Sequence, residues 1–226
     1  AGKTTVENAH GGFDEGGDVI NVDLSKVGLS VSDEGLIVSG TGVHATVTGE
    51  TVEDGGIVKQ LIKSGGTTYK AAIAAAETEI TVTDTDDIAN YYQGETVNFT
   101  DYEGSVKADL SGTTESSIDG GAALFKSVKT LYAGGGTTEF RGGTSNDSLY
   151  AGTGTTSLYG AGGRNVLANT ADEKDGATSF YVLSVADGAR NTISNFEFLE
   201  TGDSDNAGTA DKIEIATQDG NIVSNA

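Results

Sequence analysis

The 226 residues contain no cysteine, proline, methionine or tryptophan. Without cysteine the chain has no disulfide, no thiolate metal ligand and no cysteine nucleophile. Without methionine it carries no initiator residue, so a processed or excised segment is expected, and no signal peptide is legible. Basic residues are scarce: 13 Lys and Arg stand against 34 Asp and Glu, a formal net charge of −21. A chain this acidic repels phosphate backbones, and nucleic acid is not an expected partner. It attracts hard divalent cations, which prefer carboxylate and carbonyl oxygen, although the same charge also serves solubility alone. Only two histidines occur, His10 and His44, and neither stands in a zinc spacing. No apolar run reaches the roughly 18–20 residues of a membrane helix, so membrane insertion is not expected. There is no G-x-S-x-G elbow, phosphate loop or zinc motif, and no sugar-cleaving groove of Asp, Arg and Lys is foreshadowed. An enzyme is therefore not expected.

Gly, Ser, Thr, Asp and Asn are abundant, and β-branched residues supply much of the apolar content, which favours short strands between many turns. Only VKQLIK (58–63) and YKAAIAAAE (69–77) offer helical spacing, and the second is bracketed by TT and the strand-like TEITVT, leaving helix and strand level. The stretches VINVDLS, LSVSDEGLIVSG, VHATVTGE and TEITVTDTDD alternate as strands between Gly- or Asp-rich turns. The fold class expected is all-β. Residues 1–94 form an N-terminal β-rich region, either solenoid coils or a small sandwich, and 95–226 form a second region. The composition shifts near Asp84–Asp87.

The second region contains a repeat. Residues 133–168 divide without gaps into four blocks of nine: AGGGTTEFR, GGTSNDSLY, AGTGTTSLY and GAGGRNVLA. The eighth position is always apolar, as Phe140, Leu149, Leu158 and Leu167, and Leu131 keeps the phase one step earlier. Small residues, mostly Gly, fill the first four positions, where tight turns need positive φ. Each block reads as a turn followed by a very short strand with one inward side chain. One such strand buries nothing; a stack of them does, so the unit makes sense as a solenoid.

These blocks resemble the RTX family, the hemolysin-type calcium-binding repeats, whose nonapeptide GGxGxDxUx (U apolar) builds a parallel β-roll. GGTSNDSLY matches at Gly142, Gly143, Asp147 and Leu149, with Ser145 in place of the third glycine. The flanks YEGSVKADLSGTT (102–114), FKSVKTLYAG (125–134) and NTISNFEFLETGDSDNAGTADKIEI (191–215) are similar to the segments around such repeats. The resemblance covers roughly residues 95–216. It implies a parallel β-roll or β-solenoid in the C-terminal half, with two blocks per coil. Leu131, Leu149 and Leu167 would stack on one side, Phe140 and Leu158 on the other.

The resemblance also implies Ca2+ between turns one coil apart, held by paired Asp residues and carbonyls. Residue by residue, the Asp position here is Thr138, Asp147, Thr156 and Asn165. The Thr138/Thr156 edge offers hydroxyls alone, and no ion is expected there. The Asp147/Asn165 edge offers one carboxylate and one amide, and it is a candidate calcium site or a turn in which Asp147 bonds its own backbone. Lys129 precedes this edge by one coil; stacked beneath Asp147, its ammonium would supply the charge a metal brings. A second candidate is DSDNAGTADKIE (203–214), spaced like an EF-hand loop, with Asp203, Asp205, Asp211 and Glu214 as ligands and Ala207 where a further oxygen belongs. Strand-like sequences flank it instead of helices.

The reading that follows is a non-catalytic, extracellular or cell-surface bacterial protein: a surface-layer, filament or adhesin subunit. Self-association into a polymer or lattice is expected, with divalent cations offsetting its charge. The alternative is a calcium-responsive RTX module of a larger type I-secreted protein.

Overall fold

A computed structural model describes residues 4–13, 16–49, 52–53, 56–86, 88–112, 114–170, 178–183, 190–196 and 211–216. The chain is all-β: the described residues hold no helix, and so none long and apolar enough to cross a membrane. The strands are β1 (Thr4–Ala9), β2 (Val19–Asn21), β3 (Val27–Ser32), β4 (Gly35–Gly40), β5 (Val43–Gly49), β6 (Val52–Glu53), β7 (Ile57–Ser64), β8 (Thr67–Ala74), β9 (Glu79–Thr81), β10 (Tyr91–Gln93) and β11 (Thr96–Asn98). They continue as β12 (Val106–Asp109), β13 (Ser116–Ile118), β14 (Gly121–Lys126), β15 (Thr130–Tyr132), β16 (Thr138–Arg141), β17 (Ser148–Ala151), β18 (Thr156–Tyr159), β19 (Arg164–Asn169), β20 (Thr178–Leu183), β21 (Arg190–Ser194) and β22 (Lys212–Ala216). Two compact units result, one of Ala1–Ile80, Ile88–Thr96 and Leu124–Val128, the other of Thr81–Asp87, Val97–Ala123 and Lys129–Ala226.

In the first unit β3, β4 and β5 form an antiparallel meander, and β1 adds to β5 in parallel. A second sheet pairs β7 with β8 antiparallel and adds β2, β10 and Leu124–Lys126 in parallel. Both sheets feed one apolar cluster that includes Leu36, Val38 and Val47 from the meander and Val58, Ile62 and Ile73 from the hairpin. VKQLIK and YKAAIA (69–74) are thus strand and not helix, and residues 75–77 lie beyond the end of β8. The Gly65–Gly66 pair between them, with φ of 57° and 88°, supplies the two left-handed positions of a tight hairpin turn. Alternate residues Val58, Gln60 and Ile62 are buried, the period of a strand.

The second unit carries two parallel ladders. One runs β12–β16–β18–β20–β22, the other β15–β17–β19–β21. Consecutive nonapeptides alternate between ladders, so paired strands lie two blocks apart: Leu131 pairs with Leu149 and Leu149 with Leu167, while Phe140 pairs with Leu158. The five apolar residues singled out in the repeat are all fully buried. Phe180 and Ala108 extend the Phe140–Leu158 column in register. Outward positions form their own files. Tyr132 and Tyr150 stack at 4.5 Å and 7°, Arg141 lies over Tyr159 at 4.7 Å, and Lys107 pairs with Glu139 at 3.3 Å. The turns pack backbone on backbone: a Cβ at Gly154 would fall against the Gly135 and Gly136 carbonyls of the turn two blocks before.

Candidate functional site

The chemistry-bearing residues of the second unit gather where turns lead into strands, two positions before each residue in register with the apolar columns, of which Ile213 alone among those described is exposed. The shared register makes them two columns. One ladder carries Lys129, Asp147, Asn165 and Asn191; the other carries Thr138, Thr156, Thr178 and Asp211.

Asp147 and Asn165 meet as the spacing predicts. The Asp147 backbone N–H donates to Asn165 Oδ1 at 3.0 Å, and Val166 N–H donates to the Asp147 carbonyl at 2.9 Å. Asp147 is only 2% exposed, and its Oδ2 accepts the Gly143 N–H at 2.7 Å, closing the turn of its own block. Burial raises its pKa above the ordinary carboxylate value. The Gly143 N–H and the charge of Lys129 act in the opposite direction. Lys129 is the residue beside it on the preceding strand of the ladder, since Ser148 N–H donates to its carbonyl at 2.8 Å. Asn165 is fully engaged: its Nδ2 donates to Gly162 O at 3.0 Å and to Asn191 Oδ1 at 2.9 Å. Asn191 continues the column, and the repeat pattern missed it because it falls 26 residues after Asn165 instead of 18. Its signal was present in the post-repeat stretch NTISNF.

The second column is hydroxylic until its end. Thr138 and Thr156 are buried, and their Oγ1 atoms have no hydrogen-bond partner. Thr178 donates its hydroxyl to Asn169 Oδ1 at 2.9 Å and its N–H to Asp211 Oδ1 at 3.2 Å. Asp211 Oδ2 accepts from Asn169 Nδ2 at 2.7 Å, and Asn195 Nδ2 donates to the Asn169 carbonyl at 2.9 Å. Asp211 is therefore held by Asn169 and Thr178, residues outside the loop spacing that suggested it. Asp203 and Asp205 lie outside the described residues. Glu214 lies in β22, paired with Tyr181 of β20, and its side chain is likewise outside them. Among the described residues no three His, Asp or Glu side chains converge.

The two histidines belong to the first unit. His44 is exposed, opposite Ser39 in the meander, and the His10 N–H donates to Asp18 Oδ2 at 2.9 Å. The side chains of Asp147, Asn165, Asn191, Thr178 and Asp211 bond one another or neighbouring turns and strands, and this holds successive strands in register. The chain matches no family model, no curated protein and no solved structure.

Proposed function

We propose that this is a non-catalytic structural protein of the bacterial cell surface or extracellular space, a surface-layer, filament or adhesin subunit. Its C-terminal half is read as an RTX-like parallel β-roll. It self-associates into a polymer or lattice, and divalent cations offset its surface charge. One observation carries this reading: the apolar column is unbroken and fully buried at every nonapeptide, while the repeat's acidic position is Thr, Asp, Thr and Asn. A repeat that holds its packing residue at every block and a charge at only one has the makings of a scaffold and few of those of an ion site. Among the described residues β21 and β22 are the outermost strands of the two ladders, and an edge strand favours pairing with another chain.

The alternative is a calcium-responsive module of a larger type I-secreted protein. The buried Asp147 carboxylate and the acidic stretch 203–214 favour it. Light scattering after size exclusion, with negative-stain microscopy, separates the two in Ca2+, Mg2+ or EDTA. Concentration-dependent particles or sheets support the structural subunit. A monomer at every concentration, with β structure lost in EDTA and regained in Ca2+, refutes it in favour of the module.

A further inference from the structure

A calcium ion between stacked turns wants six to eight oxygens and carboxylate charge. The columns do not offer this. Beside Asp147, the neighbour above is Asn165, whose Oδ1 accepts the Asp147 N–H and whose Nδ2 donates to Gly162 and Asn191. The neighbour below is Lys129, a cation where a second ligand would stand. On the other ladder, Thr138 and Thr156 present buried, uncharged hydroxyls without partners, and nothing in their column until Asp211 would balance a divalent charge. The donor set fits hydrogen bonding between turns and does not fit the ion that the repeat pattern implies.

We propose that Lys129 supplies, beneath Asp147, the positive charge a divalent ion would otherwise bring, and that the stacked nonapeptides fold without metal. Three placements carry this. Asp147 is buried with one carboxylate oxygen committed to Gly143. Asn165 and Asn191 above it are neutral. Lys129 is the column residue directly below, exposed at its own position and the cation whose charge acts on the carboxylate. An exposed ammonium on a flexible four-carbon stem keeps its hydration while facing a buried anion, which avoids the desolvation penalty of a fully buried pair. The inference rests on the repeat reading above and narrows it: cations would act between copies and not within the coil.

The test is thermal unfolding of the full chain by circular dichroism, in EDTA and in millimolar CaCl2, with light scattering on the same samples. The wild type is expected to melt at one temperature in both. Lys129→Met should lower that temperature by about 2–4 °C in both, the shift of roughly 1 kcal/mol in a chain of this size. Lys129→Asp, which sets a second carboxylate one coil from Asp147, should melt lower still in EDTA and recover in CaCl2. Adding Asp147→Asn should abolish the recovery. A wild type that loses stability in EDTA and regains it in CaCl2, through Asp147, overturns the proposal. So does a Lys129→Met chain that melts with the wild type. Either failure leaves the structural-subunit reading to be judged separately, on whether the same samples form particles.

Discussion

Leu149→Ala is the most direct probe of the stack. Leu149 is fully buried and lies in register between Leu131 below and Leu167 above. Truncating a buried leucine costs about 2–5 kcal/mol, and the spread reflects how far the surroundings collapse into the space. Here collapse is hindered: the turns at Gly152 and Gly154 lie so close to the carbonyls of the turn eighteen residues earlier that not even a Cβ would fit, so stacked turns have little room to approach. The cost is therefore expected in the upper part of that range, about 3–5 kcal/mol, a large share of the roughly 5–15 kcal/mol that holds a typical domain. For a chain of this length that lowers Tm by about 6–20 °C. Ser148→Ala, one residue earlier and facing outward, should stay within about 0.5 kcal/mol of the wild type. Urea unfolding followed by circular dichroism gives the energies. Hydrogen exchange over residues 129–170 shows whether the loss sits in the ladders. If Leu149→Ala and Ser148→Ala unfold together, Leu149 is not a core residue and the two-ladder register is wrong.

Three further outcomes follow from the same geometry. Gly154→Ala forces a methyl onto the Gly135–Gly136 backbone and should destabilise more than Gly28→Ala, whose Cβ would meet only Ser39 O at 3.9 Å; paired denaturant melts rank them. Asn165→Ala strands the Asp147 N–H and the Asn191 carbonyl oxygen and should cost about 1–3 kcal/mol in urea unfolding, where Asn146→Ala costs less. Burial alone would raise the Asp109 pKa, but the hydroxyls and backbone N–H groups of Ser111 and Thr114 outweigh it and hold it below the ordinary value. A carboxylate depressed in the folded state stabilises above its unfolded pKa, and the contribution disappears as pH falls from about 4 through the folded value. Tm measured from pH 6 down to pH 2 should therefore fall less steeply in Asp109→Asn than in the wild type.

The repeat was legible because it is a packing rule written at fixed spacing. Five apolar residues nine apart named the buried column, and Asp147 and Asn165 were placed together by the same count. The count fails after Leu167, where Phe180 and Ile193 hold the same columns after longer excursions of the chain. Hence Asn191, Thr178 and Asn169 were invisible as column partners. Asp211 was assigned to a loop by its local spacing, whereas the bonds it makes are set by register with a strand 33 residues earlier. In the first unit, local propensity left helix and strand level: the alanines of YKAAIAAAE suit a helix, but Gly65–Gly66 turns the chain back on VKQLIK, which buries every other residue, while Ala71, Ala72 and Ile73 are buried in succession. Periodicity reports which faces are wet, and it cannot report which strand lies alongside.

The alternation of blocks between two ladders also sets a rule for how this chain changes in length. Removing nine residues would send every later block to the opposite ladder and exchange the lysine–aspartate–asparagine file with the threonine file. Removing or duplicating eighteen would return each block to its own side. Excess residues are admitted between paired strands: beyond the regular stretch they pair at separations of 22, 26 and 33 residues, yet Phe180, Ile193 and Ile213 stay in register with the apolar files. Keeping the register in this half of the molecule therefore calls for changes of length in pairs of blocks, or for excess residues placed in the connections between paired strands.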